Sequence, residues 1–463
     1  MNIKGSLAVL FEKAVAVSYK ASELAGYTIY GTAAVDWMKG RSGIYMNRGV
    51  AGNDTIYSAL RILLDKTTEA PLLLNEIKDE KAYNSRLQIK SFDDHKIIKH
   101  RLLSLKAMEE ITKDPILDLL DNPNSYQSNI EFWEAFWGWY YAYGDAYVFG
   151  LQPGEESRNA GKPIELHVIP ASIVTKQYGG DIWQPTITYQ FMIRGVEFKL
   201  GQDDIWNLSQ WNPTTGMPYG DGLSPLQAGD KVITKAGLSA EAQASAFKNG
   251  GRITVLSGDP TKGSLTPVQM DAMKQHINDQ MKGAHNNGNK VFTNGYVNAQ
   301  MIGDTIRDMS MIEGDNADRA RQAILMGVDP ILLGDKSASS YNNASEAYKG
   351  LVRNRVVSAL NKRDKSLSEW LLPKFGNENR ALCSDISYYS ELQPDYAIVS
   401  SYVSNPKLIL KSNEIRVLFG FDTENNPNYE KAIVPSGYMD YEEVFNTIDT
   451  LDEQIAKYEG SGY

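Results

Sequence analysis

One cysteine, Cys383, occurs among the 463 residues. An intrachain disulfide is therefore excluded, and the fold does not lean on an oxidising compartment. A buried, inert thiol is the expected state of Cys383. Basic charge is also in short supply: 57 acids stand against 47 bases, a net charge of −10. A chain-wide cationic footprint for gripping nucleic acid is absent, so any contact with DNA must be local or non-adhesive. No run reaches the roughly 18 apolar residues of a membrane-spanning helix. The nearest, Phe132 to Phe149, holds ten aromatics but is interrupted by Glu134, Gly144 and Asp145, and it reads as core. Lys4 followed by Ser6 to Phe11 superficially suggests a signal peptide. Glu12 and Lys13 cut that stretch short, and Leu7, Leu10, Phe11 and Ala14 fit one face of a short helix instead. The chain is expected to be cytosolic at synthesis.

Signatures of catalysis are missing as well. A phosphate-cradling loop needs glycines for close backbone approach and a lysine for the terminal phosphates. The nearest match, Gly258-x-x-x-x-Gly263-Ser264, lacks the lysine, so a nucleotide-driven motor is not expected on this chain. Five histidines occur, His95, His100, His167, His276 and His285, none in a metal-ligating spacing. His95 and His100 flank Lys96 and Lys99 and are expected on the surface. No nucleophile elbow exists; Gly222-Leu223-Ser224-Pro225 does not approximate one. The paired acids Glu109-Glu110 and Glu442-Glu443 sit in polar stretches. Two distant carboxylates can still meet in space, but the expectation is no enzyme, no cofactor and no metal.

What is present is a globular composition, 42% hydrophobic, with length enough for two to four domains. Residues 1–50 carry helical patches separated by Gly26, Gly31, Gly40 and Gly43 and look like an arm. Ile56, Leu60, Leu63 and Leu64 follow helical spacing up to Pro71, and Leu72–Leu74 begins an extended segment. Leu119-Leu120-Asp121-Asn122-Pro123-Asn124 reads as a helix end running into a turn. Ser128 and Glu131 then form a capping box, and the aromatic helix that follows stops near Gly144, a residue suited to a left-handed cap. Residues 145–208 read as strands: Ile164, Leu166 and Val168 alternate, and Ile187 to Ile193 turns at Arg194-Gly195 into Val196, Phe198 and Leu200. A Gly/Pro/Asn-rich loop spans Trp211 to Gly222.

After this loop the character changes. Leu223 to Asn249 reads as a long, weakly hydrophobic helix rich in Ala, Lys and Gln. Residues 250–302 form a small α+β insert: a strand near Ile253–Leu256, a helix with Met270, Met273, Ile277 and Met281 on one side, a Gly/Asn loop, and a hairpin turn at Asn294-Gly295. The methionine side reads as core packing in preference to a partner contact. A second polar helix covers about Met309 to Met326. Gly327, Pro330 and Gly334 break it, a polar loop reaches Asn342–Asn343, and a third helix runs from about Ala344 to Leu372. A strand is expected near Ile386–Tyr389, with helices about Tyr396–Ser404 and Ser412–Phe419. The final residues are acidic and read as a mobile tail. The whole is an α+β chain without a fixed-period repeat.

Several motifs stand together in order. Gly144-Asp145-Ala146-Tyr147 looks like a "GNAY" step. Ile164-Glu165-Leu166-His167-Val168-Ile169-Pro170 looks like "eL.plpP", and Asp204-Ile205-Trp206-Asn207-Leu208 like "diiHi" with Asn207 for histidine. Gly222-Leu223-Ser224-Pro225-Leu226 matches "GlSPL". Gly327 to Gly334 looks like "gVPp.llG" with Asp329 for proline, and Ser412-Asn413-Glu414-Ile415-Arg416 matches "t.NEvR". Through these motifs, over about residues 50–435, the chain resembles the portal proteins of tailed bacteriophages, in the branch with a lambdoid-type major capsid protein.

The resemblance implies a portal fold assembled as a twelve-membered ring. It would comprise an N-terminal arm (1–50), wing (51–222), stem helix (223–249), clip (250–302), second stem helix (303–328), tunnel loop (329–342), long helix and wing (343–396), crown (397–435) and acidic tail (436–463). It implies a channel at one capsid vertex for packaging, retaining and ejecting double-stranded DNA. It also implies contacts with the major capsid protein, the large terminase subunit and then a head-tail adaptor. No membrane is implied; the location would be the virion, and host cytoplasm during assembly. The DNA-facing loop residues would be Asp335, Lys336, Ser337, Ser339, Ser340 and Asn342, and the clip docking residues His285, Asn286, Asn287 and Asn289. Two helices polar on several faces cannot build a private core, which suits coverage by neighbouring copies; an ordinary solvent-exposed helical pair is the simpler alternative. Twelve copies at −10 each give about −120 for the ring, a channel that repels DNA more than it binds it. A ring-forming head-tail adaptor or baseplate scaffold is the competing assignment.

Overall fold

Asp54 in the first turn and Lys66 in the last favour the dipole of helix α1 (Asp54–Glu69). Pro71 stops it, and β1 (Leu72–Ile77) follows. The computed structural model describes residues 49–89, 92–153, 161–180, 185–193, 196–214, 220–248, 253–258, 266–268, 271–272, 275, 297–302, 311–334, 341–376, 379–404, 410–421, 423–430 and 432–433. The arm to residue 48, the methionine-face residues Met270, Met273, Ile277 and Met281, and the acidic tail lie outside them. By contacts the chain falls into two units. The first takes in the described parts of Met1–Leu63, Ala135–Val148 and Val168–Ser340, and the second those of Leu64–Glu134, Phe149–His167 and Tyr341–Tyr463.

In the second unit β1 is the middle strand of an antiparallel sheet. It is flanked by β2 (Met108–Ile111) and by β11 (Arg380–Ser384), with Leu74 opposite both Ile111 and Leu382. Helices α2 (Glu80–Leu87) and α3 (Asp94–Ala107) start on Asp79 and Asp93, whose carboxylates accept from the backbone N–H groups of Ala82 and Lys96. Helix α4 (Pro115–Asp121) starts on Asp114 and runs out into a turn, where Asn124 Oδ1 accepts from the N–H groups of Tyr126 and Gln127. Helix α5 (Asn129–Tyr143) carries the expected capping box: Ser128 N–H donates to Glu131 Oε2 at 2.8 Å, and Glu131 N–H to Ser128 Oγ at 3.3 Å. The expected strand at Ile386–Tyr389 is not there. Asp385 Oδ1 accepts from Ser387 N–H and winds Ile386–Tyr388 into a 3-10 turn, while β11 forms just before it, where β1 offers a partner.

The third long helix begins at Tyr341, three residues earlier than expected, as α9 (Tyr341–Leu351). It passes through one π-helical stretch, Val352–Val356, into α10 (Val357–Leu371). Leu360, Arg363, Asp364, Leu367 and Leu371 of α10 are buried, a helical stripe that faces inward. Arg363 is held there by Asp364 and Ser384, and its guanidinium lies 4.5 Å from the ring centre of Trp133. A C-terminal group is built from α11 (Tyr396–Val403), α12 (Ser412–Leu418) and the short pair β12 (Leu410–Lys411) with β13 (Ala432–Ile433). It packs on α3 through Ile98, Val399, Leu410 and Leu418.

In the first unit, β5 (Thr175–Gly180), β6 (Pro185–Ile193) and β7 (Val196–Leu200) form an antiparallel meander, with Phe191 opposite Phe198 across the expected hairpin. Tyr189 and Phe191 are buried, the buried alternation of that hairpin. Strands β3 (Asp145–Leu151) and β4 (Glu165–Ile169), each running across the boundary between the units, make a second sheet with β8 (Ile205–Ser209) in the order β4–β3–β8. Phe136 of α5 stacks on Trp206 of β8 at 4.7 Å.

Then come α6 (Pro225–Ala228), α7 (Asp230–Lys248), the antiparallel pair β9 (Ile253–Gly258) and β10 (Val297–Ile302), and α8 (Met311–Met326). The single helix expected over 223–249 is thus two. The break falls at Gly229, whose missing side chain makes room for Leu325: a Cβ there would stand 2.0 Å from Leu325 Cδ2.

Candidate functional site: the polar helix pair and its anchor

The entry to the helix pair is fixed by a polar knot. Gly144 ends α5 with φ +90°, and a Cβ on Gly222 would lie 2.0 Å from the Gly144 oxygen. Only glycine at 222 allows that approach. Asp145, the next residue, is fully buried. It accepts from the N–H of Gly222 at 2.8 Å and pairs with Lys176 Nζ at 3.0 Å. Lys176 also donates to Ser209 Oγ at 2.9 Å. The step from α5 into β3 thereby holds the segment that starts the helices. Ser224 completes the anchor: its hydroxyl donates to Ala142 O at 2.6 Å and accepts from Leu226 N–H at 3.1 Å, and Pro225 fills the first helical position.

Helices α7 and α8 pack against each other, and few of their described side chains are buried. Ile233 is the one buried residue among the described side chains of α7. On α8 the inward positions are Asp318, Gln322, Ala323 and Met326. Lys235 bridges the pair, its ammonium 2.8 Å from the buried carboxylate of Asp318. Arg319 reaches Asp315 at 3.4 Å. Leu238 and Ile324 stand 60% and 65% exposed, apolar side chains on faces that nothing in this chain covers among the described residues.

Behind α8 the chain turns sharply. Val328 N–H returns to Ala323 O at 2.9 Å, and Gly327 takes φ +79°. Asp329 Oδ1 then accepts from Ile331 N–H at 3.0 Å, capping the 3-10 turn Pro330–Leu333, which ends on Gly334 at φ +85°. Asp329 supplies an acceptor that the usual proline of the resembling pattern lacks.

Of the expected loop residues, Asp335, Lys336, Ser337, Ser339 and Ser340 lie outside the described residues, as do the clip candidates His285, Asn286, Asn287 and Asn289. Asn342 is placed in the first turn of α9, not in a loop. Ser340 is the residue type that starts helices, and asparagine is tolerated in a first turn, so the helix can begin this early. The sequence did not point to Lys176, Lys235 or Asp318. Asp145 in place of the asparagine of "GNAY" was the available signal, because a buried carboxylate calls for a cation.

Groups with chemical potential are locked away. Cys383 is buried, and burial holds its thiol above the usual range. His100, expected on the surface, is buried on α3 and meets Phe92 edge-on at 5.6 Å. Burial first, then the nearby Arg86 and Arg101 charges, push its imidazole down to about 3. The neighbours Lys96 and Lys99 misled because helical phase puts His100 with Ile97 and Arg101 on the inner face. His95 is exposed, as expected. Among the described residues no three His, Cys, Asp or Glu side chains are placed to hold a metal ion, and no helix is long and apolar enough to cross a membrane.

The fold and this anchor define a class known from comparison. The phage portal protein family model matches residues 99–420, more than half of the chain. The chain belongs to the phage portal protein family. An uncharacterized protein of Rickettsia bellii (strain RML369-C) is 23% identical over 286 residues, 60% of this chain and 71% of that protein. A chain in the virion of the native gene transfer agent (GTA) particle is similar in structure, with a TM-score of 0.57, 22% identity and coverage of 82% of this chain and 93% of that one. A chain in the neck of the native GTA particle computed with C12 symmetry has a TM-score of 0.56, 22% identity and the same coverage. At this identity the likeness establishes the shared fold.

Proposed function

We propose that this protein is one copy of a twelve-membered portal ring at a single capsid vertex, the channel through which double-stranded DNA is packaged, held and released. The observation that carries the reading is the α7–α8 pair. It is anchored at one end by a buried polar knot, and among the described side chains of the pair only Ile233 of α7 and Asp318, Gln322, Ala323 and Met326 of α8 are buried. Such helices gain cover from neighbouring copies in a closed ring. The C12 symmetry of the GTA neck, which contains a similar chain, supports the copy number.

In this reading α7 and α8 are stem, residues 250–302 the clip, residues 329–340, up to the start of α9, the tunnel loop and residues 397–435 the crown. Lys336 and Ser337 to Ser340 approach the duplex, and a net charge of −10 per copy keeps the bore from gripping it. The clip, through His285 and Asn286 to Asn289, docks the large terminase subunit first and a head-tail adaptor later. The wing meets the major capsid protein.

Negative-stain imaging of the purified protein tests the ring directly. Twelve- or thirteen-fold rings with a central hole are expected; a monomer, or a solid adaptor-like disc, would overturn the proposal. Deleting residues 335–341 should leave rings intact but reduce packaged or retained DNA, and normal DNA yield would remove the loop's role. Substituting the polar residues of 282–289 should abolish adaptor binding without loss of rings; unchanged binding argues against docking there.

A further inference from the structure

An aromatic surface on the C-terminal group is left open. Tyr396 of α11 stacks on Phe419 at 6.1 Å, yet is itself 70% exposed. Phe421, just past α12, is 63% exposed. Arg416 sits between it and Tyr429, with its guanidinium 5.9 and 5.5 Å from the two ring centres. The surface is fixed from below: Asn413 Nδ2 donates to Glu424 O at 3.1 Å, its Oδ1 accepts from Glu424 N–H at 3.0 Å, and Arg416 pairs with Glu424 at 2.9 Å. Tyr396 and Phe421 stand open to solvent, with Phe419 half-buried against the Tyr396 ring and Tyr429 half-buried by Arg416, an aromatic group held in place that marks a docking surface more than a scatter of exposed side chains.

The chain beyond the described residues supplies a matching partner. Strand β13 pairs with β12, which runs straight into α12, so residues 434–463 leave from this same group. Within them Tyr441, Val444, Ile448, Leu451, Ile455 and Tyr458 recur at alternating spacings of three and four. On a helix these six share one face, and the five acids between Tyr441 and Tyr458, Glu442, Glu443, Asp449, Asp452 and Glu453, fall off it. A stripe of this kind is unstable alone in water and needs an apolar surface. Residues 434–440 span at most about 25 Å when extended, a reach comparable to the size of the group.

We propose that residues 441–458 dock as an amphipathic helix on the Tyr396–Phe419–Phe421 surface of their own chain. The acidic face then points outward and the aromatics are covered. This gives the tail a structural role at the crown, distinct from the DNA channel.

Hydrogen exchange on the full chain and on a chain ending at Pro435 provides the test. Truncation should speed exchange in residues 396–403 and 415–421 by tenfold or more. A synthetic peptide of residues 436–463 should restore protection saturably. In the full chain, Ile448→Asp with Leu451→Asp should reproduce the truncation, whereas Asp449→Asn with Glu453→Gln should not. Equal exchange in full and truncated chains overturns the proposal. So does protection that disappears on dilution, because the occupant would then be a second copy.

Discussion

Asp145 and Lys176 form an ion pair at 3.0 Å in which both side chains are withdrawn from water, at 0% and 1% exposure. A pair so deeply buried is a modest net contributor but a severe loss when halved. Asp145→Asn leaves the ammonium without its counter-charge and should destabilise the chain by about 3–5 kcal/mol. Lys176→Met should cost a similar amount, and the double variant should regain most of it. Urea midpoints of the four chains check this; an Asp145→Asn chain with the parent's midpoint would show that the knot does not depend on charge.

His100 makes stability depend on acidity. Its imidazole is held down to about 3 in the folded chain, against an ordinary value of 6.5. Between these values the unfolded chain binds a proton that the folded chain refuses. Stability therefore falls as pH drops from 6.5, by up to about 1.4 kcal/mol per pH unit from this one group. Above 6.5 the group has no effect. His100→Gln should flatten the stability profile between pH 6.5 and 4.5 by close to one proton, and an unaltered slope would place the titration elsewhere.

Gly229 and Leu325 should be energetically coupled. Gly229→Ala drives a methyl into the Leu325 side chain and should cost about 1–3 kcal/mol. Shortening the neighbour with Leu325→Ala should relieve it, giving a coupling of about 1 kcal/mol or more in a double-mutant cycle. Strict additivity would mean that the two helices do not meet closely at this point.

Cys383 should report on opening of the second unit. Burial raises its thiol against the smaller opposing effect of Arg86, whose guanidinium lies 3.6 Å from the sulfur. The native chain should resist iodoacetamide at neutral pH and become reactive in step with denaturant, read by intact mass. Rapid labelling of the native chain would contradict the burial.

Much of this was legible because it was local. The Ser128–Glu131 cap, the aromatic periodicity of α5 and the glycine at 144 all act within a few residues, and the structure keeps each. So were the motifs that carry the family. What was hidden depends on partners distant in the chain. Strand β11 is chosen by β1, some 300 residues earlier, and the alternation at Ile386 and Tyr388 was overruled by one capping aspartate. The break at Gly229 needed Leu325 to explain it. His100 was misplaced because its charged neighbours in sequence are not its neighbours on the helix. In the candidate site, the anchor motifs were readable, while the charged partners, Lys176 at the anchor and Asp318 between the helices, were not.

The position of β1 between β2 and β11 has a temporal consequence. A ribosome delivers Leu72 long before Ser384, so one edge of this strand stays open through most of synthesis. An open edge invites pairing with another nascent chain. The second unit therefore closes only when synthesis is nearly done, and a fragment ending before Arg380 should be prone to aggregate while the full chain is not.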